Sequence, residues 1–191
     1  MKVLDPVMAL EEAEQQRFQN EAKILARLSH PNIPSIHDVV FTTPDKSEDD
    51  EGHFQLIFEY IEGQTLQEYL RDEGAASLED ARRWFRQLSS ALAHAHELNV
   101  IHRDVKPANI IIRKDGDSCV LVDFGIVLTP DEAERLTKHG YVIGTPGYMS
   151  PEQQAGEEID HRTDVYNLGV CLYEALAAIP IQAGDYRPLA L

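Results

Sequence analysis

The tightest constraint on this chain is the stretch VIHRDVKPANIII, residues 100–112. His102, Arg103, Asp104, Lys106 and Asn109 fall within eight positions, with Val and Ile on both sides. A buried strand would have to desolvate those charges, and a solvated loop has no use for β-branched residues at both edges. The segment therefore reads as a loop on a rigid apolar support, holding an acid, two cations and a carboxamide close together.

The rest of the chain must supply that support. Its 191 residues suit one ordinary domain or two small lobes, and 43% hydrophobic residues are enough for a core. A net charge of −16 repels nucleic acid and anionic lipid, so nucleic-acid binding is disfavoured; it would attract basic partners, but such acidity is more often a solubility feature. Cys119 and Cys171 stand far apart in apolar surroundings without a CxxC pair, which points to reduced, buried thiols in a cytoplasmic protein. The opening MKVLDPVMALEE is too polar for a signal peptide, and no run approaches the ~18 apolar residues of a membrane span. No membrane contact by this chain is expected, although a longer parent protein could be tethered.

Periodicity divides the chain into a strand-rich front and a helix-rich back. Residues 2–4 read as a strand fragment, 11–28 as a helix stopped by SHPN, and 35–41 and 54–60 as two strands around an acidic loop. Thr65 and Glu68 form a capping box for a short helix, and Ser77 starts a longer one with Trp84, Leu88, Ala91, Leu92 and Ala95 on one face. His94 and His96 are two apart on that helix, so they point to different faces and do not share a metal. Strands at 109–112 and 120–122 flank the turn RKDGDS, and a helix over 163–178 is capped by Thr163 or Asp160. The irregular, Gly- and Pro-punctuated segment 123–152 is long enough to suggest function.

Spacing then ties these pieces together. HRDVKPAN is followed by DFG at 123–125, fourteen residues past Asn109, and by GTPGYMSPE at 144–152. The three strings in this order resemble the protein-kinase signature set. From Lys2 to about residue 178 the chain resembles a eukaryotic-like (Hanks-type) Ser/Thr protein kinase of the bacterial kind. The resemblance implies an α+β, two-lobed fold. Residues 1–62 would be the antiparallel-sheet N-lobe and hinge, and 63–191 the helical C-lobe, with 123–152 as activation segment.

It also implies ATP and Mg²⁺ as cofactors and proteins with Ser or Thr acceptors as substrates. Phosphoryl transfer needs an in-line hydroxyl and neutralised phosphate charge. Asp104 would accept or orient the hydroxyl proton, Lys106 would face the transferring phosphate, and Asn109 and Asp123 would offer hard oxygen ligands to Mg²⁺. Lys2 and Glu21 resemble the phosphate-contacting lysine and its helix partner. In LIFEYIEG, Phe58 matches the gatekeeper, with Glu59 to Ile61 offering backbone groups to adenine. Arg103 implies control by activation-loop phosphorylation, for which Thr137 is the best-placed acceptor and Thr129 the second. Thr145 resembles the residue that ties the substrate segment to Asp104 and Lys106. His102 and Phe124 are expected to pack with Leu25, and Asp164 to accept backbone N–H bonds from the loop.

The pattern also departs from the family. There is no GxGxxG, and the first glycine is Gly52. Glu152 lacks the usual arginine partner, because only Arg162 and Arg187 follow it and neither fits the motif. The expectation is an internal piece of a kinase domain, without the first two strands and the last helices. Two other readings stand beside a working kinase: a catalytically impaired kinase-like binding or regulatory module, and a small-molecule phosphotransferase. GTPGYMSPE, as a peptide-holding segment, disfavours the second.

Overall fold

The computed structural model describes residues 2–3, 25–42, 53–124 and 145–178. Most of the helix expected over 11–28 lies outside them, as do Glu21, Thr129 and Thr137.

Two three-stranded antiparallel sheets carry the described β structure. In the first, β1 (Lys2–Val3) and β2 (Ile36–Thr42) flank β3 (His53–Phe58), with Lys2 opposite Leu56 and Phe41 opposite Phe54. The register of β2 against β3 shifts between Ile36 and Asp38. The second sheet runs β4 (Gly63–Thr65), β5 (Ile110–Arg113), β6 (Cys119–Leu121). The sequence gives no sign of β4, which is too short for any periodicity. It exists because Gly63 has no side chain: a Cβ there would meet the Ile112 carbonyl oxygen at 2.0 Å.

Local chemistry sets the helix starts. α1 (Leu66–Asp72) begins at the Thr65–Glu68 box, where Glu68 N–H donates to Thr65 Oγ1 at 3.1 Å and Thr65 N–H to Glu68 Oε2 at 2.8 Å. α2 (Leu78–Glu97) begins at Ser77, whose hydroxyl accepts from Asp80 N–H at 3.1 Å. Its buried face runs Ala81, Trp84, Phe85, Leu88, Ala91, Leu92, Ala95, the three- and four-residue spacing of an amphipathic helix. α3 (Pro151–Ala155) begins at Ser150 and ends at Gly156, whose φ of +66° suits glycine.

The start of α4 (Arg162–Ala177) corrects the expected cap. The N-cap position is His161, with no side-chain bond, while Asp160 Oδ1 accepts the Arg162 N–H at 2.8 Å from one residue upstream. Thr163 lies inside the first turn, fully buried, and donates to Glu152 Oε1 at 2.6 Å. A threonine with a carboxylate that close is drawn out of capping.

α2 is the pillar on which the loop of the first paragraph rests. It packs against α4 and β6. Gln87 Oε1 takes the Cys119 N–H at 2.9 Å, and Asn32 Nδ2 donates to the Cys119 carbonyl at 2.7 Å. Leu121 N–H returns to the Asn32 carbonyl at 2.9 Å. Asn32, in the segment expected to end a helix, thus fixes both ends of β6. Cys119 and Cys171 are free and buried, and burial pushes the Cys119 thiol up to about 12. His94 stacks on His30 at 5.6 Å, whereas His96 reaches Asp164 at 2.7 Å, so the two imidazoles serve different neighbours. Among the described residues no helix is long and apolar enough to cross a membrane.

Candidate active site

Residues 101–106 form an extended loop between α2 and a 3₁₀ turn, Pro107–Asn109, that leads into β5. Asn109 therefore belongs to the turn rather than to a strand. The loop is held from beneath by Asp164, a fully buried carboxylate in the first turn of α4. Its Oδ2 accepts the His102 N–H and its Oδ1 the Arg103 N–H, each at 2.8 Å. His96 Nε2 donates to the same Oδ2 at 2.7 Å. Arg103 sits at φ +67°, a left-handed conformation that a side chain resists, so the surrounding bonds must impose it.

His102 is fully buried and its ring lies 4.6 Å from that of Phe124, tilted by 52°. Nε2 donates to the Val122 carbonyl at 2.9 Å, while Nδ1 accepts the Asp104 N–H at 3.3 Å. Those two bonds require the neutral Nε2–H tautomer. Burial pushes the His102 pKa below its ordinary 6.5, and the facing carboxylates of Asp164, Asp104 and Asp123 only partly oppose it. The unfolded chain thus takes up a proton that the folded one refuses, and folding stability is lost as pH falls below 6.5. Urea unfolding of the parent and of His102→Gln between pH 7.5 and about 5 checks this, the window in which an unperturbed histidine titrates. The parent is expected to lose stability more steeply. Parallel slopes would overturn the assignment.

Above this support the chemical groups converge. Thr145, from the far side of the irregular segment, donates its hydroxyl to Asp104 Oδ1 at 3.0 Å and accepts from Lys106 Nζ at 2.8 Å. Lys106 Nζ also lies 2.6 Å from Asp104 Oδ2. Asn109 Nδ2 donates to the Asp104 carbonyl at 2.9 Å and to Oδ2 at 3.2 Å. The Asp104 and Lys106 side chains are 28% and 24% exposed, so the trio is fixed yet reachable.

The bonds of Asn109 also orient its amide: the nitrogen is committed to Asp104, which leaves the oxygen as the atom it can offer a cation. Val122 N–H donates to the Asn109 carbonyl at 2.9 Å, bringing the end of β6, and Asp123 after it, beside the turn. Asp123 is exposed and left-handed at φ +62°. An amide oxygen and a carboxylate fit a hard divalent cation. Among the described residues no cluster of three His, Cys, Asp or Glu gathers, and Mg²⁺ completed by phosphate oxygens and water needs none.

A protein kinase domain model matches residues 1–187, nearly the whole chain. The chain belongs to the protein kinase domain family. It is 38% identical over 185 residues to the serine/threonine-protein kinase pkn3 of Myxococcus xanthus, covering 94% of this chain and 32% of that protein. It is 36% identical over 187 residues to a probable serine/threonine-protein kinase PknB of Bifidobacterium longum, covering 97% and 27%. Against the serine/threonine-protein kinase PrkC of Bacillus subtilis it is 37% identical over 177 residues, covering 92% and 26%. The chain spans between about a quarter and a third of the length of these relatives.

In this kinase domain the remaining expected site residues are placed unevenly. Lys2 lies in β1 opposite Leu56. Glu59 N–H donates to the Ser35 carbonyl at 2.8 Å, and its carboxylate meets Arg113 at 3.1 Å. Burial works against the Glu59 charge, but Arg113 and the Ser35 N–H outweigh it and hold the carboxyl below its usual range. Side chain and N–H of Glu59 are thus both engaged within the chain. Ile61 is buried, whereas Tyr60 between them is 86% exposed.

Three further contacts had no signal in the sequence beyond residue type. Tyr148 Oη donates to Glu174 Oε2 at 2.6 Å, and burial pushes the Glu174 carboxyl up. Asn167 Nδ2 donates to the Tyr148 carbonyl. Gln153, one residue past the kinase motif, donates from Nε2 to the Arg103 carbonyl at 2.8 Å. Together they pin the 145–153 segment to α4 and to the loop.

Proposed function

We propose that this kinase domain transfers the γ-phosphate of ATP to a serine or threonine hydroxyl of a protein substrate. The observation that carries the reading is the Asp104–Lys106–Thr145 trio, with all three separations between 2.6 and 3.0 Å. A carboxylate half-shielded from water and steadied by a cation and a hydroxyl can orient an incoming hydroxyl and take its proton as the bond to phosphorus forms. Lys106 neutralises charge on the phosphoryl group in flight. Asn109 and Asp123 are the residues that would hold Mg²⁺, which when bound neutralises the phosphate oxygens. Lys2 and Glu21 are assigned to the α- and β-phosphates, and the Glu59 carbonyl and Ile61 N–H to adenine.

The same proposal divides the chain at residue 62 between an N-lobe with hinge and a C-lobe. It places the chain in the cytoplasm and gives Arg103 the task of gripping a phosphate on Thr137. Relatives named serine/threonine-protein kinases support the acceptor class. The −16 charge supports basic regions on protein substrates over nucleic acid.

The test is labelled phosphate transfer from ATP with Mg²⁺ to a basic protein, run beside an aminoglycoside and with a chelator. Label is expected on Ser or Thr of the protein, none on the aminoglycoside, and none after chelation. Labelling of the aminoglycoside alone, transfer that survives chelation, or no transfer by the folded chain would overturn the reading.

A further inference from the structure

The peptide unit between Arg103 and Asp104 carries the backbone of the proposed base, and both of its polar ends are held by side chains. Its N–H, that of Asp104, donates to His102 Nδ1 at 3.3 Å. Its carbonyl, that of Arg103, accepts from Gln153 Nε2 at 2.8 Å. Gln153 is 5% exposed and lies fifty residues away on α3. Its other end is equally committed: Oε1 accepts the Ser150 N–H at 3.0 Å and Asn167 Nδ2 at 3.2 Å. One buried amide therefore joins the loop, the end of the segment that contains Thr145, and α4.

The position matters because Arg103 is left-handed at φ +67°. Asp164 fixes the N–H of Arg103 and Gln153 fixes its carbonyl, so an unfavourable backbone conformation is clamped on both sides. Releasing the carbonyl lets the 103–104 peptide rotate, and Asp104 rotates with it. A displacement of about 1 Å in a reacting group costs as much as a hundredfold in rate.

We infer that Gln153 is a positioning residue for phosphoryl transfer. Its two-ended amide sets the Arg103–Asp104 peptide plane and locks it to the Ser150 end of the substrate segment. The inference rests on the kinase reading for its rate effect but not for its structural effect. It gives the sequence S-P-E-Q a part that capping alone does not explain: the box with Ser150 uses Oε1, while the bond to Arg103 uses Nε2.

Two variants separate the ends of the amide. Gln153→Glu keeps an acceptor for Ser150 and Asn167 but sets a carboxylate oxygen against the Arg103 carbonyl. Gln153→Met keeps the volume and removes both functions. Amide hydrogen exchange of the folded chain reads the peptide directly. The Asp104 amide is expected to exchange about tenfold faster in both variants, with the Ile112 and Leu121 amides of the neighbouring sheet unchanged, as for a local opening. In Gln153→Glu the Ser150 amide stays protected. In transfer assays kcat is expected to fall by about tenfold to a hundredfold, with KM for ATP within about twofold of the parent. An unchanged Asp104 amide, or one that loosens only together with Ile112 and Leu121, would overturn the inference. A parent chain that transfers no phosphate counts against the kinase reading, and the exchange measurement still decides the role of Gln153.

Discussion

Replacing Asp104 by Asn is expected to lower phosphate transfer by about 10²- to 10⁴-fold, the contribution of a positioned general base. That loss corresponds to roughly 3–5 kcal/mol of barrier. The substitution keeps the shape of the side chain and one acceptor oxygen, which can still receive the Thr145 hydroxyl or the Asn109 amide. What disappears is the basic carboxylate and its ion pair with Lys106, a partly exposed pair worth about 1 kcal/mol or less to folding. Rate and stability are therefore expected to part company. Transfer collapses, the thermal midpoint moves by a few degrees at most, and Mg·ATP binding is expected to persist, since the residues proposed for adenine and Mg²⁺ are not themselves replaced. Single-turnover transfer, nucleotide titration and thermal unfolding on one preparation check the three together. Full transfer by the variant would remove Asp104 from the chemistry.

The reach of sequence reasoning here follows the range of the interactions. The capping box at Thr65 and the N-cap at Ser77 are visible because donor and acceptor lie three residues apart and their types suffice. The α2 face is visible because burial repeats with the helix turn. The cap of α4 is misread for a related reason. Thr163 and Asp160 both look like caps, and only the approach of Glu152 decides that the threonine turns elsewhere. β4 has no pattern at all, since Gly63 contributes by what it lacks.

The site divides the same way. The carboxylate, lysine and asparagine of the loop are legible as a dense local charge pattern. Asp164 is legible only through family resemblance, since a helix-first-turn acid ordinarily caps its own helix rather than reaching back 61 and 62 residues. Asn32, Gln153 and the Tyr148–Glu174 pair form contacts across the fold between residues of common type, and nothing local marks them.

That long reach makes Asp164 the position where the smallest chemical change is expected to cost the most stability. In Asp164→Asn the volume is conserved and one oxygen becomes an NH₂ group. Three donors now converge on the carboxylate: His102 N–H and His96 Nε2 on Oδ2, and Arg103 N–H on Oδ1. The best arrangement of the amide keeps its oxygen toward the first two and points N–H toward the Arg103 N–H, so that donor faces donor. An unmatched buried donor costs about 1–3 kcal/mol, and the two surviving bonds lose the reinforcement of a charged acceptor. Together these amount to about 3–5 kcal/mol, the range for disrupting a buried ionic network, against a total stability of about 5–15 kcal/mol for a domain. Urea unfolding is expected to show that loss. The released Arg103 N–H no longer opposes relaxation from φ +67°, so the loop peptide should also lose its protection from hydrogen exchange. His96→Ala removes only one of the three donors and is expected to cost less. If Asp164→Asn unfolds at the same urea concentration as the parent, the loop is held by its own turn and by Gln153, and the carboxylate beneath it is a passenger of α4.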